Sequence, residues 1–135
     1  MRDIREIHIH CTATIEGREF GVKDIDQWHR KRGWNGCGYH YVIRLNGEIE
    51  QGREEWEIPA SMKGRNKSAI AIAYIGGVDE GGNPKDTRTE AQKQSMLDLL
   101  KQLKNKYPKA KIIGHNEFSK KSCPSFDVQK EYGSL

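Results

Sequence analysis

The chain has 135 residues, a mass of 15.5 kDa, and 23 Lys+Arg against 19 Asp+Glu for a net charge of +4. This length suits one domain, excludes two ordinary ones, and lets about two-thirds of the unfolded surface be buried without covalent staples. Hydrophobic residues make up 35%, and 14 glycines bring the apolar share close to the usual about 45–50%, which excludes a disordered chain. No stretch approaches the roughly 20 apolar residues of a bilayer span, so no membrane insertion is expected. The opening MRDIREIHIHCTA lacks the apolar core of an export signal, so synthesis in the cytoplasm is expected. The positive charge is mild and spread along the chain. It favours polyanions only weakly, and no nucleic-acid partner is expected. Three cysteines, an odd number, argue against a disulfide scaffold and leave free thiols or metal ligands.

Taken in order, residues 4–11 alternate as a strand, with Ile7, Ile9 and Cys11 on one face and Glu6, His8 and His10 on the other. Residues 22–32 have helical spacing, with Val22, Ile25, Trp28 and His29 near one stripe and Gly33 as the stop. A β-rich run over 39–45 begins at Tyr39, and Asn46-Gly47 then signals a hairpin with its return strand over 48–51. The unbroken apolar run AIAIAYI over 69–75 predicts a strand buried on both faces. Residues 76–86, rich in Gly, Asn, Asp and Pro, read as a loop.

Thr89 and Gln92 match a capping box that opens the longest helix. Its buried face would be Gln92, Met96, Leu99, Leu100 and Leu103, and Pro108 ends it. Residues 111–113 form a short strand leading into Gly114-His115, and Cys123-Pro124-Ser125-Phe126-Asp127 opens a last short helix. The expected fold is a single α/β domain of the α+β type, with a central mixed sheet of about five strands flanked by helices.

Three places carry chemistry that such a scaffold does not need. His10 ends the first strand, where a strand-fixed backbone and an accessible ring suit a metal ligand; a hydrogen-bonded strand-end histidine is the plainer alternative. His115 and Cys123 are separated by seven residues, which a returning loop can bring together. Imidazole and thiolate are preferred zinc ligands, and three protein ligands with an open position make a catalytic site. His10 can be the third if the strands ending at His10 and Ile113 lie side by side. Cys123 can equally be a half-buried cysteine before a proline. Tyr39 and Lys121 are the third place. Lys121 lies two residues before Cys123, so it sits near any metal bound there. An ammonium there suits a developing oxyanion and a phenol suits proton transfer; a packed strand tyrosine and a surface lysine are the alternatives.

The segments I-H-C-T-A-T (9–14), W-H-x3-G-W (28–34), G-Y-H-Y-V-I (38–43), N-G-x-I-x-x-G-R (46–53), I-G-G-V-D (75–79) and C-P-S-F-D (123–127) together resemble the zinc-dependent N-acetylmuramoyl-L-alanine amidases of type 2. The likeness is strongest to the short phage lysozymes that are amidases, and runs in order from Ile4 to Val128. It implies one zinc ion on His10, His115 and Cys123, with Tyr39 and Lys121 as catalytic residues. It implies hydrolysis of the amide between the lactyl group of N-acetylmuramic acid and the L-alanine of the stem peptide. The substrate is then bacterial peptidoglycan, reached from the cytoplasm after another protein has permeabilised the membrane. Residues 1–135 would form one catalytic domain working as a monomer. Arg65, Asn66, Ser61 and Lys63 would lie along the substrate groove. The resemblance leaves two alternatives: a non-catalytic peptidoglycan-recognition module, and a regulator that binds a phage RNA polymerase.

The chain departs from the family pattern at two points. Where many relatives carry a histidine in S-H-x-K-G, the stretch reads Ala60-Ser61-Met62-Lys63-Gly64. The position of His8 is usually apolar, and here His8 and His10 share a face about 7 Å apart. A structural or solvent-exposed role is expected for His8. His40 is expected to be a hydrogen-bonded scaffold residue facing away from Tyr39. Trp28, His29 and Trp34 are expected to pack helix on sheet. Cys11 is expected buried and Cys37 exposed.

Overall fold

A computed structural model describes residues 2–135. The apolar runs pair as a five-stranded sheet in the order β4-β3-β5-β1-β7, formed by β1 (Glu6–Cys11), β3 (Tyr41–Ile43), β4 (Ile49–Gln51), β5 (Ala69–Tyr74) and β7 (Lys111–Gly114). β1, β3, β5 and β7 run parallel, and β4 is antiparallel to β3. This is the expected mixed sheet of about five strands. Parallel strands need crossovers and are covered on both faces, which is why β5 reads as an unbroken apolar run.

The two faces of β5 differ. Ile70, Ile72 and Tyr74 face a core completed by Met96, Leu99, Leu100 and Leu103 of α2 (Glu90–Lys106) and by Val128 and Tyr132 of α3 (Val128–Tyr132). Ala69, Ala71 and Ala73 face the other way. There the strand register sets His8 beside Ala71 and His10 beside Ala73. The small side chains leave the volume that the imidazoles fill. α1 (Val22–Lys31) covers part of this face through Ile25, packed with Cys37, Val42 and Ile75.

Local signals explain the helix ends. The Thr89 Oγ1 accepts from the Gln92 N–H at 3.0 Å, and the Gln92 Oε1 accepts from the Thr89 N–H at 3.0 Å, the reciprocal box read from the sequence. Gln92 is fully buried because its Nε2 also donates to the carbonyls of Ile43 and Ile75, at 3.1 and 3.0 Å. α1 stops at Gly33, whose φ of +86° only glycine adopts without strain.

The structure corrects three expectations. β3 begins at Tyr41, not Tyr39, so Tyr39 lies in the loop before it and escapes strand alternation. The segment 76–86 is not all loop. β6 (Gly77–Val78) pairs in parallel with β2 (Thr14–Ile15), a ladder too short to leave a periodic signal. Cys37 is buried at 4% exposure, because the loop around it folds under α1 and the Asp26 carboxylate accepts its backbone N–H at 2.9 Å. His8 takes the structural of its two expected roles: it is wholly buried, with Nδ1 2.8 Å from Ser61 Oγ. His40 is likewise the expected scaffold residue. Its Nδ1 accepts from the Ala71 N–H at 3.0 Å and its Nε2 lies 2.8 Å from the Glu57 carbonyl. No helix among the described residues is long and apolar enough to cross a membrane.

The last helix is held by Arg88. Its buried guanidinium stacks 3.6 Å from the Phe126 ring, donates to Tyr132 Oη at 2.7 Å, and pairs with Asp86 and Glu131 at 2.9 and 2.6 Å. Arg88→Met leaves those two carboxylates without their cation, and a loss of roughly 3 kcal/mol in urea denaturation is expected. His40 supplies a second test. Burial is the main cause that lowers its pKa from 6.5 to about 4, so the folded state refuses a proton that the unfolded chain takes. Stability present above pH 6.5 is therefore lost as pH falls toward 4. Metal-free protein is expected to show this loss in thermal melts, and His40→Asn, which keeps an acceptor for Ala71, is expected to flatten it.

Candidate metal centre and active site

The parallel pairing of β1 with β7 puts the ends of both strands at one edge of the sheet. His10 lies at the end of β1, and His115 follows the last residue of β7 as the start of a single 3-10 turn. Cys123 arrives from the loop before α3. That loop is pinned by Tyr74 Oη donating to the Pro124 carbonyl at 2.6 Å and by Ser125 Oγ donating to the Gly77 carbonyl at 2.9 Å. The Cys123 sulfur accepts from the Cys11 N–H at 3.2 Å.

The ligand atoms of His10, His115 and Cys123 all lie within 4.8 Å of one another. His10 Nδ1 stands 3.5 Å from Cys123 Sγ, which is the spacing of two ligands on a tetrahedral zinc, about 3.4–3.7 Å. His10 is buried, and among the described residues its Nε2 has no hydrogen-bond partner. A ring with one nitrogen against a sulfur and the other unpaired is not a satisfied scaffold histidine. The donor set fits a divalent cation of the zinc type.

Electrostatics agree with that fit. Burial, then the neighbouring His115, His8 and Lys121, hold His10 well below its ordinary pKa; burial and Lys121 lower His115. Both rings are neutral at pH 7 with a lone pair to give. The Cys11 sulfur and burial hold Cys123 as a thiol in the absence of a cation, and coordination is what deprotonates it. The three cysteines are free, so no disulfide competes for this sulfur.

His10 and His115 are in edge contact at 4.8 Å between ring centres, and the Tyr39 ring lies 5.3 Å from His10. Burial pushes the Tyr39 phenol up, so it is a neutral O–H donor. Lys121 is exposed and lines an open cleft of about 790 Å³ together with His115, Trp34, Ser61 and Phe118. The five residues proposed from the sequence therefore meet at one place. Ser61, Lys63, Arg65 and Asn66 line the same cleft. They differ in how free they are. The Asn66 Oδ1 accepts from the backbone N–H groups of Ser61 and Met62, at 3.0 and 2.9 Å, so its amide shapes the loop. Arg65 pairs with Glu6 and stacks 3.7 Å over the Phe118 ring. Ser61 Oγ lies 2.8 Å from His8 Nδ1. Lys63 is exposed.

Sequence reasoning missed Phe118 and Glu6. Phe118 is 48% exposed, and an exposed aromatic ring just after the H-N-E of a metal motif was the available signal. Glu6 gives no local signal, because its partners His8 and Arg65 come together only in the fold. A second hollow of about 460 Å³ lies near Arg2, Tyr41, Glu55 and Tyr107. Of the two carboxylates that line it, Glu54 and Glu55, the latter is already bonded by Tyr41, Tyr107 and Lys106.

Comparison with known proteins bears on these residues as a set. Residues 1–126 match the family model described as N-acetylmuramoyl-L-alanine amidase. The chain is 40% identical over 124 residues to the endolysin of Escherichia phage T7, covering 92% of this chain and 82% of that one. It is 36% identical over 129 residues to the endolysin of Enterobacteria phage K11, covering 96% and 85%. The solved N-acetylmuramoyl-L-alanine amidase LysC from Clostridium intestinale URNW superposes with a TM-score of 0.84 at 29% identity, covering 99% of this chain and 86% of that one. With the site geometry and nearly the whole chain in agreement, the protein belongs to the N-acetylmuramoyl-L-alanine amidase family and is a homologue of the phage endolysins.

Proposed function

We propose that the protein is a zinc-dependent hydrolase of bacterial peptidoglycan that cuts the amide between the lactyl group of N-acetylmuramic acid and the L-alanine of the stem peptide. The observation that carries this reading is the convergence of His10, His115 and Cys123 within 4.8 Å beside an open cleft. Three ligands leave one position for water or substrate, the pattern of catalytic rather than structural zinc. The retained thiol ligand separates this chain from a recognition module without metal chemistry. His10, His115 and Cys123 would hold one zinc ion, which would supply a water of lowered pKa and polarisation of the amide carbonyl.

The chain's own groups do the rest. Lys121 brings its ammonium to the cleft that His115 also lines and stabilises the oxygen that becomes negative when the carbonyl carbon turns tetrahedral. The Tyr39 Oη is kept protonated by burial and donates a hydrogen bond to the reacting water or carbonyl. Ser61, Lys63 and Arg65 border the groove that takes the stem peptide. All five metal-binding and catalytic residues belong to one chain, which supports a monomer with residues 1–135 as its catalytic domain. The cell wall is the place of action, reached after the membrane is permeabilised.

Purified sacculi digested with the zinc-loaded protein are expected to release stem peptides with free L-alanine amino ends, identified by mass, at one zinc per chain. Cys123→Ala is expected to lose both the metal and the release. Stoichiometric zinc without cleavage of sacculi or of soluble muropeptides would overturn the hydrolase in favour of recognition. Lys121→Met is expected to keep one zinc and to lower kcat roughly 10²-fold, the usual cost of one oxyanion-stabilising group. Unchanged turnover in that variant would remove Lys121 from the chemistry.

A further inference from the structure

His29 is a buried histidine behind the cleft wall, packed on Trp34, and the candidate metal cluster does not use it. It stands in the last turn of α1 at 6% exposure. Its Nδ1 accepts a hydrogen bond from the Gly38 backbone N–H at 2.8 Å. That bond requires an unprotonated Nδ1, so the neutral ring carries its proton on Nε2. Its ring packs 4.5 Å from Trp34 and 5.5 Å from Tyr39. Tyr39 is thereby set between His29 on one side and His10 on the other. Trp34 is one wall of the cleft that His115 and Lys121 also line.

The backbone around this ring is equally constrained. The His29 carbonyl accepts from the N–H groups of Arg32 and Trp34, both at 3.0 Å. Gly38 has no room for a side chain, since a Cβ there would lie 2.6 Å from the Ala60 carbonyl oxygen. Tyr39 follows directly, so the peptide that His29 grips is the one that places the phenol. Tyr39 lies ahead of the first residue of β3; its carbonyl accepts from the Arg53 N–H at 2.9 Å, while His29 holds the amide of the preceding Gly38.

We propose that His29 is a positioning residue, whose Nδ1 holds the Gly38 amide while its ring sets the Tyr39 phenol against His10 and the Trp34 indole along the cleft. The inference rests on the reading of Tyr39 as a group that acts on the substrate. It goes beyond the metal ligands because His29 touches neither the cluster nor its sulfur. The ring also stays neutral as the role requires. Burial and the positive charges of Arg32 and Arg53 lower its pKa to about 4 against the opposing pull of Asp26. A doubly protonated imidazole would present an N–H to the Gly38 N–H and release the loop.

The test uses the zinc-loaded full chain on a soluble muramoyl peptide. His29→Phe keeps the ring and removes the acceptor. It is expected to lower kcat 10- to 100-fold, with KM changed less than threefold and one zinc retained. His29→Asn can place its Oδ1 where Nδ1 stands and is expected to recover most of that loss. In a Tyr39→Phe background, His29→Phe is expected to cost less than twofold more, because its effect passes through the phenol. Full additivity, a His29→Asn as slow as His29→Phe, or a His29→Phe within twofold of wild type would each overturn the proposal. The wild-type protein gives a reading that needs neither turnover nor a stable variant. Its His29 ¹⁵N resonances at pH 7 are expected to show a bare Nδ1 and a protonated Nε2, and the opposite tautomer would overturn the proposal. A wild type that releases no peptide overturns the hydrolase reading instead, and the tautomer then still decides whether His29 grips Gly38.

Discussion

The site depends first on the alternation of side-chain size along β5. Ala69, Ala71 and Ala73 lie on one face while Ile70, Ile72 and Tyr74 fill the core against α2. Larger residues at Ala71 and Ala73 would occupy the space that the register assigns to His8 and His10. A close-packed interior has few voids beyond the size of a water molecule, so imidazoles enter a buried face only where the neighbouring strand gives up volume. The histidine-bearing face of β1 and the alanine face of β5 are therefore one feature split between two strands.

Burying so many imidazoles in one region has an electrostatic consequence. His8, His10, His29 and His40 are all buried, with pKa values lowered chiefly by burial. Each ring is kept neutral, and partners meet both nitrogens of His8 and His40 and the Nδ1 of His29. His29 takes Gly38, His40 takes Ala71, and His8 lies between Ser61 and Glu6. Among the described residues, His10 is the histidine with a buried nitrogen that has no partner, and a sulfur stands opposite its other nitrogen. That contrast with the other buried rings marks it as a candidate metal ligand.

The walls of the cleft hang on links across long stretches of chain. Arg65 joins the 60–68 loop to β1 through Glu6 and to the turn after β7 through Phe118. His8 joins β1 to Ser61. His8 is wholly buried on the strand, and Met62 at 3% exposure fills the loop beside it.

What the sequence determined by itself follows from local periodicity and from ordered motifs. The run at 69–75, the box at Thr89 and Gln92 and the α2 stripe are contained in short windows, and they appear as read. His10, His115 and Cys123 were legible as ligand types, and their grouping became legible through six motif blocks in one order. Tertiary structure alone decided the rest. Tyr39 left its strand because Gly38 is clamped between His29 and Ala60. Cys37 was buried by a loop that folds under α1, and the two-residue ladder of β2 with β6 formed from segments too short to show a period. The partners of Glu6, His8 and Arg65 lie up to 59 residues apart in the chain. A contact at that separation is set by where the parallel strands place their ends, and no local pattern records it.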